Sequence, residues 1–240
     1  MINDDEKVSV EQPDDADDTA EQSDAEDSPK KKSGSFWKEL PILLAIAVVV
    51  ALVVRTFVMQ SFWIPSGSME NTLQLDDYVL ANKLVYDFRD PERGEVVVFE
   101  APTSWRSNPA EEDFIKRIIA VGGDTVSYDA STQRISVNGH ELDESAYLYT
   151  DPMTGIQQSP SKDDFEFTVT IPEGRLWVMG DHRWASGDSR ERYLRSGGDI
   201  EAATISVDAI VGKAFVLVWP IDRWDWLTIP DTFDGVGEPA

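Results

Sequence analysis

Hydrophobic and polar positions divide the chain into three regimes. Residues 4–27 mix carboxylates with Ser, Ala, Thr, Gln and Pro and offer almost no apolar surface. Ordering such a stretch costs roughly 1–2 kcal/mol of backbone entropy per residue with no burial to offset it, so residues 1–35 are expected to be a disordered tail. Residues 40–54 are then apolar and uncharged, and continuing through Arg55-Thr-Phe-Val-Met59 gives 20 residues. At about 1.5 Å per residue this matches a hydrocarbon core of about 30 Å, which predicts an anchor helix over residues 36–60. The run is apolar all round and lacks the polar face of a helix packed on a soluble core.

Beyond residue 60 the pattern changes to short runs rich in Val, Ile and Phe, separated by turn residues. Strands are predicted at 78–85, 95–99, 114–119, 134–137, 165–171, 175–179 and 210–218. Asn138-Gly139, between Ile135-Ser-Val137 and Glu141-Leu142, signals a two-residue hairpin. No 3.6-residue apolar period of helical length follows residue 60. The fold class expected is therefore mainly β: one antiparallel domain over 61–230, an insertion or flap near 129–170, and a C-terminal tail at 231–240.

Charge sharpens this division. The 240 residues carry a formal net charge of −24, yet between residues 4 and 27 twelve carboxylates face Lys7 alone. Lys30, Lys31, Lys32 and Lys38 precede the apolar run, and the next basic residue after Arg55 is Lys83. The positive-inside tendency then puts the N-terminus in the cytoplasm and everything after residue 60 outside, in a single-pass protein of the cell membrane. A cleaved signal peptide fits less well, because 39 residues precede the run and it exits into Val-Met-Gln-Ser-Phe-Trp, without small residues. Net acidity argues against nucleic acid as a partner. With no cysteine, and two histidines that form no close-spaced pair, disulfide scaffolds, Cys nucleophiles and zinc centres drop out.

Candidate chemistry begins directly after the anchor, in Phe62-Trp-Ile-Pro-Ser66-Gly67-Ser68-Met69. A serine in such a bend is an ordinary loop residue unless a base activates it. His182, in Gly180-Asp-His-Arg183, is one candidate base for a Ser-His-Asp triad; His140 sits at the hairpin turn. The other candidate is a lysine in the apolar strand Phe114-Ile-Lys116-Arg117-Ile-Ile119. Alternation alone does not say which of Lys116 and Arg117 is buried. Arginine stays protonated and cannot serve as a base, whereas burial readily strips a lysine of its proton.

Five segments in order behind one apolar run resemble the boxes of type I bacterial signal peptidases. They are Ile64-Pro-Ser-Gly-Ser-Met69, Asp77-Tyr-Val-Leu-Ala-Asn-Lys83, Arg93-Gly-Glu-Val-Val-Val-Phe99, Phe114-Ile-Lys-Arg-Ile-Ile-Ala-Val-Gly-Gly-Asp124 and Gly180-Asp-His-Arg-Trp-Ala-Ser-Gly-Asp-Ser-Arg190. The resemblance runs from the anchor to about residue 220. It implies a signal-peptidase-like β catalytic domain with Ser68 as nucleophile and Lys116 as general base. By the same resemblance Ser66 and the Ser68 N–H form the oxyanion hole, Ser186 holds the Lys116 amine, and Asp188 with Arg190 makes a structural ion pair. Phe62, Ile64, Pro65, Met69, Leu73 and Ile115 match positions that line pockets for small side chains.

The implied activity is that of a membrane-bound serine endopeptidase. It removes signal peptides from secretory preproteins after Ala-x-Ala-type sites through an acyl-enzyme, with no metal or cofactor. The lipid bilayer is the second partner implied, with Trp219-Pro-Ile-Asp-Arg-Trp-Asp-Trp-Leu227 either resting at its interface or packed as an aromatic turn. Two departures stand out. Asn71 occupies a position where the family usually has proline, and Trp184-Ala185 replaces the polar pair usual before the loop serine, while His182 in that loop resembles actinobacterial members.

Overall fold

The structure is a computed structural model that describes residues 36–161 and 165–239. The acidic stretch and Lys30 to Lys32 lie outside the described residues. The chain divides into two units, residues 1–45 and 46–240. Helix α1 (Phe36–Val53) begins in the first and ends in the second. Its Leu, Ile and Val side chains between residues 40 and 52 are exposed. The α-helix stops at Val53 and a π-helical stretch, Val54–Val58, follows it, so the helix expected over residues 36–60 gives way to strand at Met59. The reason is a competing ladder: Met59 and Gln60 pair with Asn82 and Ala81 in a β-sheet. Among the described residues no helix is long and apolar enough to cross a membrane.

The strands are β1 (Met59–Trp63), β2 (Tyr78–Asn82), β3 (Val96–Glu100), β4 (Asp113–Ala120), β5 (Thr125–Asp129), β6 (Arg134–Val137), β7 (His140–Glu141), β8 (Phe167–Thr170), β9 (Arg175–Met179), β10 (Ile205–Ser206), β11 (Ile210–Trp219) and β12 (Asp225–Trp226). All their pairings are antiparallel, as the sequence pattern predicts. The larger sheet runs β1-β2-β11-β3-β4-β9-β10, with β12 on β11; the smaller runs β7-β6-β5-β8.

The smaller sheet takes strands β6, β7 and β8 from the region near 129–170 expected to be an insertion or flap. Val126, Tyr128, Ile135, Val137 and Phe167 share one buried cluster with Ile119, Trp177 and Met179 of the larger sheet. Burial of alternate residues on β5, β6 and β8 fixes the smaller sheet against the larger. The hairpin at Asn138-Gly139 forms between β6 and β7, with φ of 51° and 80° at the two residues, the left-handed pair that a type I′ turn requires. The stretch expected as a C-terminal tail is also packed. Phe233, in the 3-10 turn Asp231–Phe233, is buried and stacks on Tyr147 with ring centroids 6.3 Å apart.

Strand β4 lies between β3 and β9 and is buried on both faces from Ile115 to Ala120. Alternation therefore had no single answer for Lys116 and Arg117, because both are buried, at 4% and 2% exposure. Two short helices, α2 (Ser189–Arg195) and α3 (Ile200–Ala203), follow β9; Asp188 caps the first and Asp199 the second through their carboxylates.

Candidate active site

Ser68 sits in a 3-10 turn, Gly67–Met69, that follows the extended Ser66. The turn is anchored by its apolar neighbours: Met69 and Leu73 are fully buried with Ile64, Val79, Ala81, Val96 and Ile115. Burial of Met69 holds the preceding residue at the surface of that cluster, facing β4. There Lys116 Nζ is hydrogen-bonded to Ser68 Oγ at 2.7 Å and donates to the Ile115 carbonyl at 2.8 Å. Ser66 Oγ is 3.4 Å from Ser68 Oγ.

Burial pushes the Lys116 amine down to about 8, against the opposing pull of the Asp188 and Asp181 charges. Roughly a tenth of the amine is then neutral at pH 7 and about half at pH 8. Such an amine accepts a proton from a hydroxyl it already touches.

The loop after β9 closes on this pair. Gly180 has no room for a side chain: a Cβ would lie 2.3 Å from Ser186 Oγ and 2.4 Å from the Ser68 carbonyl oxygen. Gly180 N–H donates to Asp188 Oδ2 at 3.1 Å. Asp188 in turn takes two bonds from the Arg190 guanidinium, at 3.0 and 2.7 Å, forming the expected ion pair. Although burial opposes ionisation, Arg190 and the Gly180 N–H hold the Asp188 carboxyl below the usual carboxylate range. Ser186 differs from expectation. Its Oγ is buried without a well-formed hydrogen bond, and the bond to Lys116 is not made. The lysine spends its hydrogen bonds on Ser68 and the Ile115 carbonyl instead.

A cleft of about 630 Å³ opens over the pair, lined by Phe62, Ile64, Pro65 and Ile115 together with Ser66, Ser68 and Lys116. Met69 and Leu73, expected among the pocket walls, do not line it. Both are buried in the cluster with Ile64, Val79, Ala81 and Val96 behind the turn.

His182 is not the base of a triad. Its Nδ1 lies 2.8 Å from Glu70 Oε2, and its ring stacks on Tyr149 at 3.9 Å, with no bond to Ser68 Oγ. His140 packs against Gly235. Asn71 has φ of 91°, a value that proline, locked near −65°, cannot take, so the turn after Ser68 has a backbone path of its own.

Sequence reasoning missed a buried ionic layer beneath the site. Arg117 holds Asp181 through two bonds, at 2.9 and 2.7 Å, and also donates to the Gly94 carbonyl. Thr72 donates to the same carboxylate at 2.5 Å. Arg183 pairs with Glu144, which also accepts from Tyr147. Asp181 and Arg183 flank His182 inside a quoted motif, but their partners lie tens of residues away in sequence, where no local spacing connects them. Apart from this layer, Trp63, Tyr78 and Trp219 are exposed and neighbours in the β1-β2-β11 register, and Trp224 and Trp226 are exposed nearby in the chain.

Comparison with known proteins bears on this arrangement. The sequence profile described as "Signal peptidase, peptidase S26" matches residues 37–219. "Probable signal peptidase I" of Mycobacterium leprae (strain TN) is 38% identical over 237 residues, covering 82% of this chain and 80% of that protein. "Signal peptidase I" of Mycobacterium tuberculosis (strain ATCC 25618 / H37Rv) is 37% identical over 232 residues, covering 82% and 78%. "Probable signal peptidase I-2" of Synechocystis sp. (strain ATCC 27184 / PCC 6803 / Kazusa) is 36% identical over 205 residues, covering 85% and 84%.

Proposed function

This chain belongs to the signal peptidase family, peptidase S26, and is a serine peptidase; on that basis we propose that it cleaves signal peptides from preproteins with a Ser68-Lys116 dyad. The observation that carries the proposal is the 2.7 Å contact between Lys116 Nζ and Ser68 Oγ at the base of the cleft.

Neutral Lys116 takes the Ser68 proton as Oγ attacks the scissile carbonyl. The carbonyl π electrons move to oxygen, and the Ser68 N–H with the Ser66 hydroxyl stabilises that oxyanion. Collapse breaks the C–N bond as protonated Lys116 gives its proton to the leaving amine. Lys116 then deprotonates a water that attacks the acyl ester, and as the ester C–O bond breaks it returns that proton to Ser68 Oγ. Asp188 and Arg190 brace the loop that carries Gly180 and Ser186 and do not touch the reacting atoms.

Phe62, Ile64, Pro65 and Ile115 wall a cleft suited to small apolar side chains, which favours Ala-x-Ala-type sites. The apolar run of residues 40–54 and the exposed Trp63, Tyr78 and Trp219 favour work at a membrane, with the nucleophile nine residues past Met59. The test is incubation of the purified full chain with a preprotein whose signal ends in Ala-x-Ala, comparing wild type with Ser68→Ala and Lys116→Ala. Both variants should lose cleavage, and undiminished cleavage by either would falsify the dyad.

A further inference from the structure

We propose that His182 is the positioning residue of the oxyanion site: its Nδ1–H holds the Gly67 carbonyl and thereby aims the Ser68 N–H. The inference rests on the reading of Ser68 as nucleophile with its own N–H as oxyanion donor.

His182 Nδ1 lies 3.1 Å from the Gly67 carbonyl oxygen and 2.8 Å from Glu70 Oε2. A carbonyl oxygen and a carboxylate both accept, so Nδ1 must carry the hydrogen and shares it between the nearer Glu70 carboxylate and the Gly67 carbonyl. The Gly67 C=O and the Ser68 N–H belong to one planar trans peptide, in which they point in opposite directions. Fixing the carbonyl direction therefore fixes the N–H direction. The same histidine holds the next peptide too, since its backbone N–H donates to the Ser68 carbonyl at 3.1 Å. One residue thus sets the peptide planes on both sides of Ser68.

The surroundings hold the ring where this requires. It lies flat on Tyr149, with centroids 3.9 Å apart and planes 12° from parallel, and Tyr149 N–H donates to the Asp181 carbonyl at 3.0 Å. Glu70 is packed over Gly67 so closely that a Cβ there would sit 2.9 Å from its carboxyl carbon, which keeps the carboxylate against Nδ1. Within the turn itself Glu70 N–H also donates to the Gly67 carbonyl, at 3.1 Å. That local bond closes the 3-10 turn, and His182 ties the turn to the loop after β9.

The full chain and an Ala-x-Ala preprotein test the proposal with His182→Phe, which keeps a ring on Tyr149 and removes the donor, and His182→Asn, whose amide nitrogen falls near the place of Nδ1. Ser68→Ala is run beside them. His182→Phe should lose about 10–100-fold in kcat with KM within about twofold, less than the ~10²–10³ of a whole lost oxyanion donor. His182→Asn should recover to within a few-fold of wild type. A peptide aldehyde that adds Ser68 Oγ to its carbonyl, with the oxygen entering the oxyanion site, should bind His182→Phe more weakly by the factor lost in kcat. The released signal peptide should bind both proteins equally.

Wild-type kcat in His182→Phe, a loss carried in KM, or His182→Asn as slow as His182→Phe would each overturn the positioning role while leaving the dyad intact. Full activity in Ser68→Ala would overturn the dyad reading first and this inference with it.

Discussion

Lys116 Nζ and Ser68 Oγ are 2.7 Å apart, and both side chains are more than nine-tenths buried, at 4% and 6% exposure. Burial serves two ends in this pair. It lowers the amine toward working pH, and it excludes the water that would otherwise compete for the serine hydroxyl.

The pH profile should follow that amine. With Lys116 lowered to about 8, only the neutral fraction acts as base, so kcat/KM should rise about tenfold per pH unit below pH 8 and level off above it. Initial rates on a preprotein between pH 5 and 10 measure this, and a profile flat down to pH 5 rules out the lysine base. Lys116→Arg should be inactive at every pH, since guanidinium accepts no proton.

The same group makes stability pH-dependent. Folded Lys116 titrates at about 8 against 10.5 unfolded, so below pH 8 the unfolded chain gains from protonation what the folded chain cannot. The cost is about 3 kcal/mol below pH 8, and it disappears as pH rises from 8 to 10.5. Lys116→Met, inactive but similar in volume, should therefore unfold at higher denaturant than wild type at pH 7, with the gap closing by pH 10.5. Urea midpoints at the two pH values decide it; a gap that stays constant with pH removes the linkage.

Gly180→Ala should hurt activity more than stability. The added Cβ meets Ser186 Oγ and the Ser68 carbonyl at 2.3 and 2.4 Å, so the loop or the nucleophile turn must shift. Overpacking of this kind costs about 1–3 kcal/mol. A shift of the serine by about an ångström should cost roughly 10²-fold in kcat. Parallel thermal melts and preprotein cleavage measure the two effects separately.

Asn71→Pro, which would restore the residue usual in the family, should destabilise this chain. The φ of 91° at Asn71 lies in the left-handed region, closed to proline and open to glycine. Proline should cost about 3 kcal/mol or more, whereas Asn71→Gly should stay within about 1 kcal/mol of wild type by urea unfolding. A proline variant as stable as wild type would show that this turn is not held in its present path.

Much was written locally in the sequence. Alternation of Ile135 and Val137 with polar neighbours marks the strand at 134–137, the short apolar run Leu176-Trp-Val-Met179 marks the one at 175–179, and Asn138-Gly139 marks the hairpin, because period and turn chemistry act over a few neighbours. The chemistry of residue types, read with the family resemblance, singled out Ser68 and Lys116, since of the two charges in that strand only a lysine can lose its proton. Other features depended on which distant strands meet. Burial of both Lys116 and Arg117 follows from packing on both faces of β4, where Ile118 joins one buried cluster and Ile115 and Ile119, on the other face, join two more. Met69 and Leu73 became core and not pocket because Val79, Ala81 and Val96, from strands remote in sequence, bury them behind the turn. Asp181, Glu144 and Gly180 gained their roles through contacts with residues far along the chain. Sequence determined which groups can carry the reaction; tertiary structure decided which of them are desolvated and aimed, because desolvation and direction come from neighbours that only folding brings together.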